Sequence, residues 1–213
     1  AIQLEEHDLL GELPEYAQLL KRETQEAKAF HQDMRLAATS FFRDAGAFDV
    51  LTAKVFPALV QKRTGNEPVR VWVPGCSTGE EVYSLAIALK ESVAEDSVPI
   101  RVFATDVDEE AIQEARAGRY PKTVSEYVSP ERLRRFFVER RDEYQIAKSV
   151  RDMCVFAGQN VLTDPPFSRI DLIACRTLLL SLDLFLQRRV LPLLHHALRP
   201  SGFLVLGRSG TIG

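Results

Sequence analysis

Val69-Arg70-Val71-Trp72-Val73-Pro74-Gly75-Cys76-Ser77-Thr78-Gly79-Glu80-Glu81 is the stretch that decides the fold. Its first five residues are β-branched or aromatic except for Arg70, so they read as a strand, and Pro74-Gly75 end it in a polar loop. From residue 80 to 93 the apolar residues recur at helical spacing, giving a strand, a loop and a helix in succession. Downstream, Ile100-Arg101-Val102-Phe103-Ala104 repeats the strand pattern and Thr105-Asp106-Val107-Asp108 closes it, with a helix expected over 109–117. Strands that alternate with helices pair in parallel through right-handed crossovers, which implies an α/β chain with a doubly wound sheet.

Further outward the alternation lapses. Between 119 and about 155 a short helix over 130–135 precedes Phe136-Phe137-Val138 and Tyr144-Gln145-Ile146 across a charged turn, which predicts an inserted β-hairpin. The pattern resumes with Ile170-Asp171-Leu172-Ile173-Ala174-Cys175, a helix over 183–198, a stop and turn at Arg199-Pro200-Ser201-Gly202, and a last strand over 202–206. Upstream, residues 48–62 read as a helix with Leu51, Val55 and Leu59 on one face, and Pro57 is expected to kink it or move a boundary. Residues 8–37 carry Leu9, Leu13, Tyr16, Leu19, Leu20, Ala27 and Phe30 at mostly helical spacing, broken near Gly11 and Pro14. The expected organisation is an N-terminal helical region and linker over 1–64 and one main domain over 65–213. The chain starts at Ala1 and stops soon after a strand, so it is expected to be a piece of a larger protein.

Composition narrows the function classes. The 213 residues carry 27 Lys and Arg against 30 Asp and Glu, a formal charge of -3, with 46% hydrophobic residues. No overall basic face results, which argues against nucleic acid as the main partner. The local clusters Arg132-Arg134-Arg135 and Arg140-Arg141 are interleaved with Glu131, Glu139, Asp142 and Glu143 and read as solvated surface, or else as a patch for an acidic protein. Cys76, Cys154 and Cys175 have neither disulfide-framework nor zinc-ligand spacing, so no metal site is expected and a reducing cytoplasm fits. The longest apolar run, around 178–186, is too short to span a bilayer, so no membrane insertion is expected.

The chemistry concentrates at the ends of the strands, where open α/β sheets bind ligands. Gly75 and Gly79 would let backbone approach a ligand, and a carboxylate would suit the N–H groups at the helix N-terminus, although a purely structural turn has the same composition. Asp106 ends the second strand, one β-α unit on, where a carboxylate can accept both hydroxyls of a ribose; Asp108 is left to cap the next helix. A dinucleotide site would ask for G-x-G-x-x-G, whereas this loop reads G-C-S-T-G-E-E and its Glu80 and Glu81 repel phosphate. A phosphate-free cation suits it better, and a sulfonium with an amino group meets that description. Trp72 reads as core, and His195-His196 as a helix end at a surface or interface.

The motifs T-S-F-F-R-D (39–44), G-C-S-T-G-E-E (75–81), A-T-D-V-D (104–108), A-R-A-G-R-Y (115–120), G-Q-N-V-L (158–162), D-P-P-F-S-R-I-D-L-I-A-C-R (164–176) and A-L-R-P-S-G-F-L-V-L-G-R-S (197–209) follow in order. Together they resemble the CheR chemotaxis methyltransferases, especially the CheR-like domains of CheB/CheR fusion proteins. The resemblance implies a class I, Rossmann-like methyltransferase fold with a short N-terminal helical segment and a small inserted β-subdomain. It implies S-adenosylmethionine as cofactor, S-adenosylhomocysteine as product, and methyl transfer to glutamate carboxylates of a chemoreceptor cytoplasmic region or similar signalling protein. By that analogy the cofactor meets Ala37, Thr39, Arg43, Gly75, Ser77, Glu80, Asp106, Asn160, Val161, Arg176 and Thr177. Arg43 and Arg176 would lie nearest the reaction, with Ser181 beside them.

Some positions depart from the family. After Cys175-Arg176 it usually has Asn and then, past two or three apolar residues, Tyr; here Thr177 and Ser181 stand there. Gly210 follows Gly207-Arg208-Ser209 where Glu is usual, and Ala37 replaces a frequent polar residue. An Arg-rich receptor-binding helix is not evident in residues 1–36. These departures motivate a second expectation, a catalytically weakened module that binds S-adenosylmethionine or S-adenosylhomocysteine. A third, a nicotinamide-dependent dehydrogenase, shares the fold but lacks the three-glycine fingerprint.

Overall fold

The computed structural model describes residues 39–61, 63, 67–93 and 98–207. The helices expected over 8–37, together with Ala37 and Gly210, lie outside the described residues. One compact unit spans Thr39–Gly213.

Its centre is a five-stranded sheet in the order β6-β2-β1-β7-β8, every neighbouring pair parallel. The strands are β1 (Val69–Pro74), β2 (Ile100–Asp106), β6 (Cys154–Gly158), β7 (Ile170–Cys175) and β8 (Leu198–Leu206). Both faces are apolar because alternate residues of a buried strand go to opposite sides. Val69, Val71 and Val73 enter one core with Val82, Leu85 and Leu89 of α3 (Glu80–Ser92) and Ile112 of α4 (Glu109–Ala117). Trp72 enters the other, with Ile173 and with Val190, Leu194 and Ala197 of α8 (Leu184–Ala197). Helices on both faces make the sheet doubly wound, as the pattern predicts. Trp72 is fully buried and its indole N–H donates to Thr105 Oγ1 at 3.0 Å, which fits its reading as core.

Several features differ from the sequence reading. The helix expected from Phe48 starts earlier, as α1 (Ala45–Val50), and continues through a π-helical stretch Leu51–Val55 into α2 (Phe56–Gln61). Phe56 N–H bonds to Leu51 O, and this wider turn falls where Pro57 has no N–H to offer and its ring needs room. Arg199-Pro200-Ser201-Gly202 is not a turn outside the sheet; it lies within β8 as an irregularity between the pairs Ile170↔Leu198 and Leu172↔Phe203. The inserted element has three strands, not two: β3 (Arg119–Pro121), β5 (Glu143–Ile146) and β4 (Phe137–Glu139) form an antiparallel sheet in that order. It is flanked by α5 (Pro130–Phe136) and followed by α6 (Lys148–Arg151). Among the described residues no helix is long and apolar enough to cross a membrane.

Candidate functional site

Because all five strands of the large sheet are parallel, their carboxyl ends gather at one edge, and the loops leaving β1, β2, β6 and β7 carry the motif residues there. The loop after β1 is held in an unusual conformation, with Gly75, Ser77 and Gly79 all at positive φ. Thr105 O accepts from Gly75 N and Cys76 N at 2.7 and 3.0 Å, and Gly79 N donates to Cys76 O at 3.0 Å. Asp106 Oδ2 accepts from Ser77 N at 2.8 Å, and its Oδ1 from Asp108 N at 3.1 Å. The expected open cradle of loop N–H groups is therefore largely satisfied within the chain. The glycines serve close packing instead: a Cβ on Gly75 would lie 2.8 Å from Leu178 Cβ, and one on Gly79 3.0 Å from Ala115 Cβ.

Asp106 keeps further acceptor capacity, since each carboxylate oxygen has a second lone pair. Asp108 caps α4 by accepting from Glu110 N at 3.0 Å and Ala111 N at 3.1 Å, which is the role expected of it.

The adjacent glutamates differ from one another. Glu80 is buried and takes a 2.7 Å bond from Thr78 Oγ1, while Thr39 Oγ1 lies 3.5 Å from Thr78 Oγ1. Burial pushes the Glu80 carboxyl above its ordinary range against these hydroxyl bonds. Glu81 is lifted to about 7 by burial, with Arg176 and Arg43 pulling it down. Its Oε1 has no hydrogen-bond partner and sits 3.9 Å from Arg176 Nη1. Arg176, only 12% exposed, donates from Nη2 to Arg43 O at 2.8 Å and approaches Asp44 Oδ2 at 3.7 Å. Arg43 is exposed and follows Phe42 and precedes Asp44, both at positive φ. Phe42 N–H is held by Ser84 Oγ at 2.9 Å, and the Arg132 guanidinium covers the Phe42 ring at 4.0 Å. The segment 39–44 is thus pinned over the sheet edge from both sides.

Sequence comparison places this geometry. The family profile described as CheR methyltransferase, SAM binding domain, matches residues 37–213. The chain belongs to the CheR methyltransferase family. Chemotaxis protein methyltransferase 1 of Pseudomonas aeruginosa is 31% identical over 80% of the chain and 65% of its own length. The chemotaxis protein methyltransferase of Listeria innocua is 31% identical, over 93% of the chain and 74% of its own length. An uncharacterized 104.1 kDa protein of Rhodobacter capsulatus is 37% identical over 93% of the chain, which spans only 21% of that protein. The DszA carbon methyltransferase crystal structure superposes with a TM-score of 0.52 at 15% identity, covering 81% of this chain and 38% of that one, and so shares the fold.

Within the CheR unit, Asn160 and Val161 follow β6. Asn160 Oδ1 accepts from Leu162 N at 3.0 Å, Asn160 N donates to Asp164 Oδ2 at 2.8 Å, and Val161 is buried. Gln159 N–H ties this loop to Asp106 O at 2.9 Å, which brings Asn160 beside the ribose candidate. Thr177 occupies the N-cap position of α7 (Leu178–Ser181) without a side-chain capping bond. Ser181 is exposed and its hydroxyl donates to Leu178 O at 2.8 Å, so it is turned to its own helix. Sequence reasoning missed Gln159, Asp44 and Tyr120. Tyr120 Oη donates to Thr78 O at 2.7 Å from the inserted sheet, and the signal for it was the final Y of A-R-A-G-R-Y. Among the described residues no group of three or more His, Cys, Asp or Glu is placed to hold a metal.

Proposed function

We propose that this CheR domain binds S-adenosylmethionine and transfers its methyl group to glutamate side chains of a chemoreceptor cytoplasmic region or a similar signalling protein in the cytoplasm, as one part of a longer chain. The observation that carries the reading is the set of unspent polar atoms at the carboxyl edge. Ser77 Oγ, Glu81 Oε1 and Gln159 Oε1 are buried without a hydrogen-bond partner. A ligand rich in hydroxyl and ammonium donors fits these acceptors; a phosphate does not.

When bound, the cofactor supplies an electrophilic methyl on a sulfonium. Asp106 would accept from the ribose, and Gln159, Asn160 and Val161 would flank the nucleoside. Glu81 is better placed than Glu80 to meet the amino group, because Glu80 is already engaged by Thr78. Gly75, Ser77, Thr39 and Thr177 line the approach. A glutamate acceptor with an ordinary pKa of about 4.3 is ionised at neutral pH, so no general base is needed and positioning is the main task. Arg43 is exposed beside Arg176, and its guanidinium would orient that carboxylate by a paired hydrogen bond. Arg176, fixed against Arg43 O, holds Arg43 in place.

A second reading, a module that binds the cofactor without turning over, is favoured by Ser181, whose hydroxyl is spent on Leu178 O. Calorimetry with S-adenosylhomocysteine on wild type and Asp106→Ala tests the pocket, and labelled S-adenosylmethionine with glutamate-bearing receptor fragments tests transfer. Binding abolished by Asp106→Ala together with base-labile methyl esters supports the first reading. Binding without transfer, restored by Thr177→Asn with Ser181→Tyr, supports the second. Absence of binding to wild type refutes both.

A further inference from the structure

The carboxyl edge continues into a surface that the cofactor chemistry does not use. Past Arg176 the chain forms α7 and then the first turns of α8, and because α8 returns toward the amino edge, its N-terminal turns lie at the same carboxyl edge of the sheet as the site. Leu180, Leu184 and Phe185 are 55%, 74% and 68% exposed there. Asp183 Oδ1 caps α8 through Leu186 N at 2.8 Å, which fixes the helix start and the direction of its faces. Val190 and Leu194 take the buried face, while Arg188 and Arg189 are exposed one turn after Leu184 and Phe185. From 184 to 197 the helix has no carboxylate at all. Exposed large apolar groups with two guanidinium groups one turn on, and Asp183 held at the helix cap, mark an interaction surface rather than ordinary solvated helix.

We infer that Leu180, Leu184, Phe185, Arg188 and Arg189 form a docking strip for an acidic amphipathic helix, the segment that brings its glutamate to the site. The identification as acceptor rests on the proposed methyltransferase reading; the strip itself does not. Charge complementarity selects the occupant. Two guanidinium groups beside apolar side chains suit a helix with glutamates next to leucines, and two copies of this strip would set like charges against one another. Continuity with the site favours a protein over a lipid surface, since the proposed reaction needs a glutamate side chain delivered to Arg43, while the apolar contacts set the position along the helix. Electrostatic steering would speed encounter and make it salt-dependent.

The test uses the chain as it is, with Phe185→Ser and the double variant Arg188→Glu/Arg189→Glu, and a fluorescein-labelled peptide helix with glutamates along one face flanked by leucines. Anisotropy titrations at low and high salt should give wild-type binding that weakens with salt. Both variants should lose about tenfold or more in affinity, as central interface side chains do. Their melting temperatures and S-adenosylhomocysteine affinities should match wild type, because the altered side chains are solvent-exposed. Peptide affinity equal in all three proteins, or absent from wild type, overturns the inference. Tighter binding to phosphatidylserine vesicles than to the peptide overturns it in favour of a membrane surface. A wild-type dimer, seen by sedimentation and lost in the double variant, overturns it in favour of a second copy. If wild type fails to bind S-adenosylhomocysteine while the peptide results hold, the cofactor reading falls and the docking strip remains.

Discussion

Tyr120→Phe isolates one hydrogen bond that locks the loop after β1 to the inserted sheet. The phenol is 7% exposed and its Oη donates to Thr78 O at 2.7 Å. Its ring packs edge-on against Phe41 at 4.8 Å and near Tyr83 at 6.2 Å, and these contacts survive the substitution. What is lost is the bond, leaving a buried carbonyl without its donor, at a cost of about 1–3 kcal/mol. For a domain of this size that lowers the melting temperature by roughly 2–12 °C. Gly79→Ala supplies the cross-check. Gly79 has φ 95°, and an added Cβ would sit 3.1 Å from Tyr120 Oη and 3.0 Å from Ala115 Cβ. The left-handed backbone alone costs about 1–2 kcal/mol with a side chain, and the Oη crowding adds to it. In a Tyr120→Phe background that crowding is gone, so Gly79→Ala should cost less there by about 0.5 kcal/mol or more. Urea denaturation of the four proteins measures the cycle. A wild-type midpoint for Tyr120→Phe, or strict additivity in the double variant, would refute the reasoning.

Glu81→Gln should change how stability depends on pH. Burial lifts Glu81 from 4.5 to about 7, so the folded state holds that proton more tightly than the unfolded state does. Its contribution is fully present below about pH 4.5 and is lost as pH rises toward and through 7, to a total of about 3 kcal/mol. Wild type should therefore lose ground against Glu81→Gln between pH 5 and 8 in urea denaturation, and a pH-independent difference would count against the assigned burial. Asp171→Ala removes a buried carboxylate that accepts from Arg70 N at 2.8 Å and pairs with Arg63 and Arg199. Because the Arg63 side chain is only 4% exposed and would be left with Glu67 alone, at 3.3 Å, removing this partner should cost about 3 kcal/mol, and a shift under 1 kcal/mol would show the network to be dispensable. Asp108→Ala should cost about 1 kcal/mol as a lost helix cap while S-adenosylhomocysteine affinity stays as in wild type. Loss of ligand binding in that variant would mean that the roles of Asp106 and Asp108 are not separate.

The large sheet was legible where strands are buried on both faces, because Val69 to Val73 and Ile170 to Cys175 are apolar runs bounded by turn residues. The edge strand β6 escaped notice for the complementary reason. Val155 is 47% exposed and Cys154-Val155-Phe156-Ala157-Gly158 is short, so neither alternation nor length marks it. β3 is three residues with a proline, and only its pairing with β5 makes it a strand. In the site, residue types were legible but their commitments were not. The motif G-C-S-T-G-E-E announces two acidic side chains, yet nothing in it says that Thr78 engages Glu80 and leaves Glu81 Oε1 without a partner. Likewise the sequence offered Arg176 as a group facing the reaction, whereas its guanidinium bonds Arg43 O beside Asp44 and Glu81. The Arg176 pairing joins residues far apart in the chain, which no local pattern encodes.

The charge arrangement explains why one sheet edge would choose this ligand over a dinucleotide. Glu80, Glu81, Asp106 and Asp44 stand there against Arg43 and Arg176, and the loop N–H groups that usually receive a pyrophosphate are bonded to Thr105 O, Asp106 and Cys76 O. A phosphate would meet carboxylates in a partly desolvated site with few donors in return, and uncompensated like charges are costly when water is excluded. A sulfonium with an ammonium group meets the opposite situation, since each carboxylate it approaches lowers its energy and Glu81 Oε1 gains the hydrogen bond it lacks. The same attraction should pull Glu81 toward its ordinary ionised state when ligand binds, so binding near neutral pH should release protons. Calorimetry of S-adenosylhomocysteine in buffers of different ionisation enthalpy reads that release directly. An apparent binding enthalpy that does not vary with the buffer would remove Glu81 from the ligand's surroundings and return that role to Glu80.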